Sequence, residues 1–292
     1  MSIHLGGTPS SSTVAAIYSY DQAVKLAYQG SSRLRNAVTV KSGVTGQSHS
    51  FRKFGSQVAV QHTTAELITP ADYTHTKVPA TLTNWRIGDY TDVFDQAETT
   101  VDERALLAES NAKALGRAED QLIIDALDAA TSIAGTVDED LGATNSPINK
   151  EKLLRAKRYL TAQQADATQH TIVVNAVGME GALSEVEVTS ADYQTMRALA
   201  ENGGTMQGKS AFGFNWIVLE DRAEGGLPTG SASIRLCFAF DKAAVGLAVG
   251  LEPSTRVDFI PERYAYLSQG VLKVGSTVID SKGVVEIQSY EA

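Results

Sequence analysis

The run "GGTMQGKS" satisfies the pattern G-x-x-x-x-G-K-[ST] letter for letter, with Gly203, Gly208, Lys209 and Ser210 in the defining places. In nucleotide hydrolases such a run cradles phosphates: backbone N–H groups and the lysine surround the oxygens, and the hydroxyl holds Mg²⁺. That chemistry needs a buried strand before the loop and a helix N-terminus after it, aimed at the phosphates. Here the preceding "ADYQTMRALAENGG" reads as helix, with Gly203 and Gly204 as its C-cap and turn, and the following "AFGFNWIVLE" reads as strand. The order is the reverse of the required one, so the match is a coincidence. Lys209→Ala is expected to leave folding near normal. An α/β enzyme using Gly203–Ser210 would instead lose a nucleotide-dependent activity.

Other chemistries have less to stand on. His4, His49, His62, His75 and His170 are scattered, with no i, i+4 pair and no cysteine partner for a metal. Each is expected on the surface or in a turn. The single cysteine, Cys237 in "IRLCFAF", reads as a small apolar residue of a buried strand. Asp120, Asp125 and Asp128 are expected on a solvated or interface face of a helix. No G-x-S-x-G elbow and no glycine-rich dinucleotide fingerprint is present. The sequence therefore argues for no catalytic, cofactor or metal site, and against an enzyme.

The 292 residues can bury a full core, and no apolar run approaches the ~20 residues of a membrane span. The N-terminal segment has no basic start followed by an apolar stretch, so it does not read as a secretory signal. Charge is unevenly divided. Residues 1–62 carry +5 and the remainder −14, within a total of −9. A basic leader on an acidic body suggests an arm lying on an acidic surface, such as another copy of the body.

Along the chain, residues 1–13 should be extended and "SYDQAVKLAYQGSS" a short helix. "NAVTVKSGVTGQSHSFRKFGSQVAVQH" alternates Val38, Val40, Val58 and Val60 around a polar middle, which predicts a long hairpin with a broad tip. The hairpin is too polar to form its own core, so something else must cover it. "KVPATLTNWRIGDYTDVF" reads as a further extended segment with Pro79 at an edge. A helix of about thirty residues follows at 101–130, capped by Thr99 or Thr100, with Ala108, Ala112, Leu115, Leu122, Ala126 and Ala129 as its apolar stripe. Glu109 and Lys113 form a favourable i, i+4 pair on the opposite side. A second helix at "SPINKEKLLRAKRYLTAQQAD", capped by Asn149, and a strand "HTIVVNAVG" come next. The last third is mostly strand, interrupted by a short helix "DKAAVGLAVG".

This order of elements resembles the major capsid protein of tailed bacteriophages, the fold shared with encapsulins and the herpesvirus capsid floor. The residues that carry the resemblance are "TDVFDQAETTVDERALLAESNAKALGRAEDQLIIDAL" (91–127) and "AAVGLAVGLEPSTRVDFIPERYAYLSQGVLKVG" (243–275). It implies an α+β fold with an N-terminal arm (1–34), an extended β-hairpin loop (35–80), and a peripheral domain from 81–160 and 245–292 with its spine helix at about 101–130. An axial domain would occupy 161–244. By the same resemblance, Arg33, Arg35, Lys41, Arg52 and Lys53 would make inter-subunit contacts from arm and loop. Glu109, Lys113, Arg117 and Asp120 would mark the spine helix. The implied function is structural: self-assembly through pentamers and hexamers into an icosahedral virion shell around double-stranded DNA, assembled in the host cytoplasm. Portal and scaffolding proteins, and decoration proteins, would be partners; DNA would be held weakly and without sequence specificity, and no membrane would be involved. An encapsulin-type compartment is the alternative with the same fold.

Overall fold

The computed structural model describes residues 32–57, 59, 61, 64, 67, 70, 73–94, 103–163, 170–184, 212–219, 224–230 and 233–291. Residues 1–31, where an arm and a short helix are expected, Val58, Val60, His62, and Gly203 to Ser210 lie outside them.

In chain order the strands are β1 (Thr39–Lys41), β2 (Ser48–Phe54), β3 (His75–Thr81), β4 (Thr83–Asp92), β5 (Gly135–Val137), β6 (His170–Val174), β7 (Asn215–Val218), β8 (Ile234–Asp241), β9 (Val245–Ile260), β10 (Ala265–Val278) and β11 (Val284–Tyr290). The helices are α1 (Glu103–Asp128), α2 (Lys150–Ala162) and α3 (Ala176–Ser184). Two sheets and a ribbon organise them: β1-β9-β10-β4, β5-β11-β8-β6-β7, and β2-β3. The architecture is the expected α+β.

Helix α1 runs ~39 Å at 1.5 Å per residue, without proline and with Gly116 as its one glycine. Its buried face overlaps the stripe read from the sequence only in part, at Leu115 and at Leu122, which packs partly buried against the core. Ala112 and Ala129 are exposed; the core side carries Leu115, Ala118, Ile123, Ile124 and Leu127, together with the polar Asn111, Glu119 and Asp120. The alanines misled because small residues satisfy a helical period without being needed in a core. Asn111 explains the polar entry: its amide donates to Ser268 O (3.2 Å) on β10, which fixes the helix over the four-stranded sheet. Gly270 lets Leu115 down onto that sheet, since a Cβ there would sit 2.9 Å from Leu115 Cδ1.

The second sheet is the apolar centre. All five residues of β6 are buried, and Phe214, Trp216, Phe238 and Phe240 fill the space around them. Asn149 caps α2, accepting from Lys152 N at 2.8 Å, as its position predicted.

The predicted hairpin pairs differently. β1 joins β9 in parallel, Thr39 opposite Gly246, while β2 pairs antiparallel with β3, Ser48 opposite Thr81 and Phe54 opposite His75. The broad tip therefore lies at 55–74, and the returning strand contains Pro79 rather than Val58 and Val60. The expected short helix "DKAAVGLAVG" is a single 3₁₀ turn, Lys242–Ala244, after which β9 begins. β-branched Val245 and Val249 alternate there with small residues, a pattern that suits a strand better than a helix.

Two of the chain's crossings between the sheets lie side by side. β8 leads through Lys242–Ala244 into β9, and β10 leads through Ser281–Gly283 into β11. Each crossing is a 3₁₀ turn capped by an aspartate: Asp241 accepts from Ala243 N (2.8 Å) and Asp280 from Lys282 N (3.1 Å). Ile279 N donates to Ala244 O at 2.7 Å, tying the two crossings into one joint. The sheets also ignore the expected segment boundaries. β5, α2 and β11, expected with the long helix, pack with β6, β7 and β8 instead.

Candidate functional site

Where the described chain begins, Ser32 to Arg35 is moored to the middle of α1. The Asp120 carboxylate accepts from Ser32 Oγ (2.9 Å), Arg33 N (3.1 Å) and Leu34 N (3.1 Å). Gly116 makes room, because a Cβ there would meet Ser32 N at 3.0 Å. Arg33 donates to Val218 O at 2.7 Å, and Arg35 bridges Glu119 (3.3 Å) and Glu252 (2.5 Å). Burial pushes the Glu119 carboxyl above the usual carboxylate range, with Arg35 pulling against that rise. Arg33 and Arg35 thus each bind their own chain. Asp120, expected on a solvated or interface face, is fully buried; a carboxylate with three donors needs no solvent. The sequence signal lay in "GRAED": a glycine one turn before an acid pair on a buried helix face.

Elsewhere on α1, Glu109 and Lys113 meet at 2.8 Å as their spacing predicted, and Arg117 lies 3.6 Å from Glu224. Asp125 and Asp128 are exposed, and Gln121 donates to Asp125 at 2.6 Å.

The β2–β3 ribbon has two unlike faces. Its inner face carries His49, Phe51 and Lys53 opposite Ala80, Val78 and Thr76. Ala80 is buried with Val44, Leu82 and Ala248, and the Phe51 ring covers Gly246, where a Cβ would lie 2.7 Å from Cζ. Lys53 Nζ reaches Asp280 at 2.6 Å. The outer face is exposed along its length and sets Arg52 directly opposite Lys77. Like charges opposite each other repel, so this face gains from an acidic surface laid upon it. Lys41 is exposed on β1.

One buried and one half-buried cation escaped the sequence reading. Lys152, without solvent exposure, donates to Ser146 O (2.6 Å) and Gln288 O (2.9 Å), and burial pulls its ammonium down to about 8. Lys157 Nζ lies 2.7 Å from His170 Nδ1 and donates to Gly213 O at 2.9 Å; burial lowers its pKa as well. His170, expected on the surface or in a turn, is buried at the start of β6, with Asp241 Oδ2 3.9 Å from Nε2. The reason is the pairing of β6 with β8, which sets His170 opposite Asp241. Cys237 is buried in β8 as expected, its thiol pushed up to about 12 by burial, which suits packing rather than nucleophilic attack.

Asp138, Glu139 and Asp140 bring three carboxylates together on an exposed turn, where Asp138 and Asp140 accept backbone N–H groups of Asp140 and Asn145. They shape the turn. Gly203, Gly208, Lys209 and Ser210 lie outside the described residues; the first described element after them is the strand β7.

No curated protein matches the sequence. Solved structures do match by fold. The capsid of Ralstonia phage GP4 aligns at TM-score 0.70 and 12% identity over 100% of this chain and 99% of its own. The head structure of Helicobacter pylori bacteriophage KHP40 aligns at 0.66 and 10% over 99% of each chain, and Mycobacterium phage Che8 at 0.61 and 16% over 92% and 95%. The family described as phage capsid protein matches residues 13–291. With that match along nearly its whole length, and with two sheets joined as described, this chain belongs to the phage capsid protein family and is a structural major capsid protein.

Proposed function

We propose that the chain is the repeating tile of a closed icosahedral shell, gathered into pentamers and hexamers around a double-stranded DNA genome. The observation that carries this reading is the ribbon's outer face, where Arg52 stands opposite Lys77 with no cover among the described residues. An acidic body of −14 offers a second copy as the complementary surface, and repeated interfaces between identical subunits close into shells. The capsids of Ralstonia phage GP4 and of a native GTA particle support a tile role for this fold.

In this reading the four-stranded sheet with α1 is the peripheral domain and the five-stranded sheet is the axial domain, which takes in β5, α2 and β11. The leader to residue 34 is the arm, and the segment to about residue 80 the extended loop. Lys41 and Arg52 belong to the lapping surface, while Arg33 and Arg35 hold the arm's root and Lys53 reaches inward to Asp280. The protein acts mechanically rather than as an enzyme, and an acidic tile holds DNA weakly and without sequence readout. It resides in the virion, after assembly in the host cytoplasm with portal, scaffolding and decoration proteins.

The test is Arg52→Glu combined with Lys77→Glu. Both side chains are exposed, so circular dichroism and the melting temperature should stay unchanged while closed particles fall at least about tenfold on electron micrographs, as expected for lost charge complementarity. Normal particle yield from the double variant would remove the ribbon from the interface.

A further inference from the structure

We infer that Lys53 and Asp280 form a latch that sets the angle of the ribbon against the joint between the two sheets. The ribbon touches its own body in two ways. At its base, Phe51 sits on Gly246 and Ala80 is buried with Val44, Leu82 and Ala248. Farther out, the holding contact is the 2.6 Å ion pair from Lys53 to Asp280. Beside that pair lies an open groove of about 510 Å³, with Lys53, Thr76 and Val78 on the ribbon side and Ala129, Thr277 and Ile279 among those on the other. Among the described residues the ribbon is therefore held firmly at its base, and beyond the base this ion pair holds it beside an open groove.

Asp280 gives the contact its reach. The same Oδ1 that meets Lys53 also accepts from Lys282 N and caps the 3₁₀ turn of the second crossing, which Ile279 N binds to the first at Ala244 O. A change in ribbon angle thus acts on the segment through which both sheets are connected. Lys53 and Asp280 are 35% and 36% exposed, so the pair is weak and sensitive to salt. A latch that must open needs that weakness. Arg52 and Lys77, directly opposed on the outer face, add a repulsion that an acidic surface laid on that face relieves. The consequence for a shell rests on the reading of the ribbon as a lapping element: an acidic neighbour would draw the ribbon outward and open the latch.

The latch is a property of the single chain, so its test needs no assembly. Amide hydrogen exchange across 48–54 and 75–81 is measured on the unassembled full-length protein for wild type, Lys53→Asp, Asp280→Lys and the doubly exchanged variant. Each single reversal should speed ribbon exchange about fivefold or more, the swapped pair should restore it, and high salt should bring wild type close to the single variants. Asp280→Asn, which keeps a cap acceptor, separates the latch from the turn and should speed exchange in the ribbon while leaving 281–283 protected. Unchanged ribbon exchange in Lys53→Asp and in Asp280→Asn would overturn the latch while leaving the shell reading intact.

Discussion

Asp120 receives three donors from Ser32, Arg33 and Leu34, and Lys152 gives two hydrogen bonds to carbonyl oxygens, each charge enclosed by its own chain. Truncating Asp120 to alanine strands two N–H groups and a hydroxyl at the arm root. It should cost about 1.5–3 kcal/mol in urea unfolding. Lys152 links stability to pH. Its folded pKa of about 8 lies below the ordinary 10.5, so between these values the unfolded chain binds more protons and stability rises with pH. Wild type should therefore gain about 1–3 kcal/mol relative to Lys152→Met as pH climbs from 8 to 10.5, read from paired denaturation curves. At this scale the sequence was legible where the partner is close in the chain. The Glu109–Lys113 pair and the Asn149 cap follow from spacing of a few residues. The partners of Asp120 lie 86 to 88 residues away, and His170 is buried by a strand pairing, so neither environment was readable from local pattern.

The elements follow the same division. The length of α1 and of β10 was written in periodicity and in the absence of proline, whereas β9, with Pro253 inside it and its first residues read as helix, was not. The face of α1 was not, because alanine fits a core and a surface alike and the stripe that matters includes an asparagine and two acids. The ribbon's return strand was misplaced for a related reason: Val58 and Val60 alternate as well as Val78 and Ala80 do, and only tertiary contact chooses between them. One glycine records where the ribbon's end crosses the sheet. A Cβ at Gly275 on β10 would lie 2.1 Å from Thr81 O, a backbone atom with no rotamer to yield. Gly275→Ala should destabilise by about 3 kcal/mol, seen as a lower urea midpoint, whereas alanine at the exposed Gly43 should act only through its positive φ of 71° and cost less. Equal effects at the two sites would contradict the close crossing.

For the whole molecule, a +5 leader and a −14 body become a single chain whose arm root is fastened inward and whose ribbon faces outward. The order of elements was enough to suggest the fold. The joint was not, since its two crossings meet only after residues 241–245 and 278–284 are brought side by side. The central claim is that copies of this tile close into shells. Electron microscopy of the purified protein beside its size-exclusion profile, at low and at physiological salt and with a scaffolding protein or crowding agent added, tests it most directly. The account predicts closed particles, or isolated five- and six-fold rings, in at least one condition. A compact monomer or dimer throughout would contradict it.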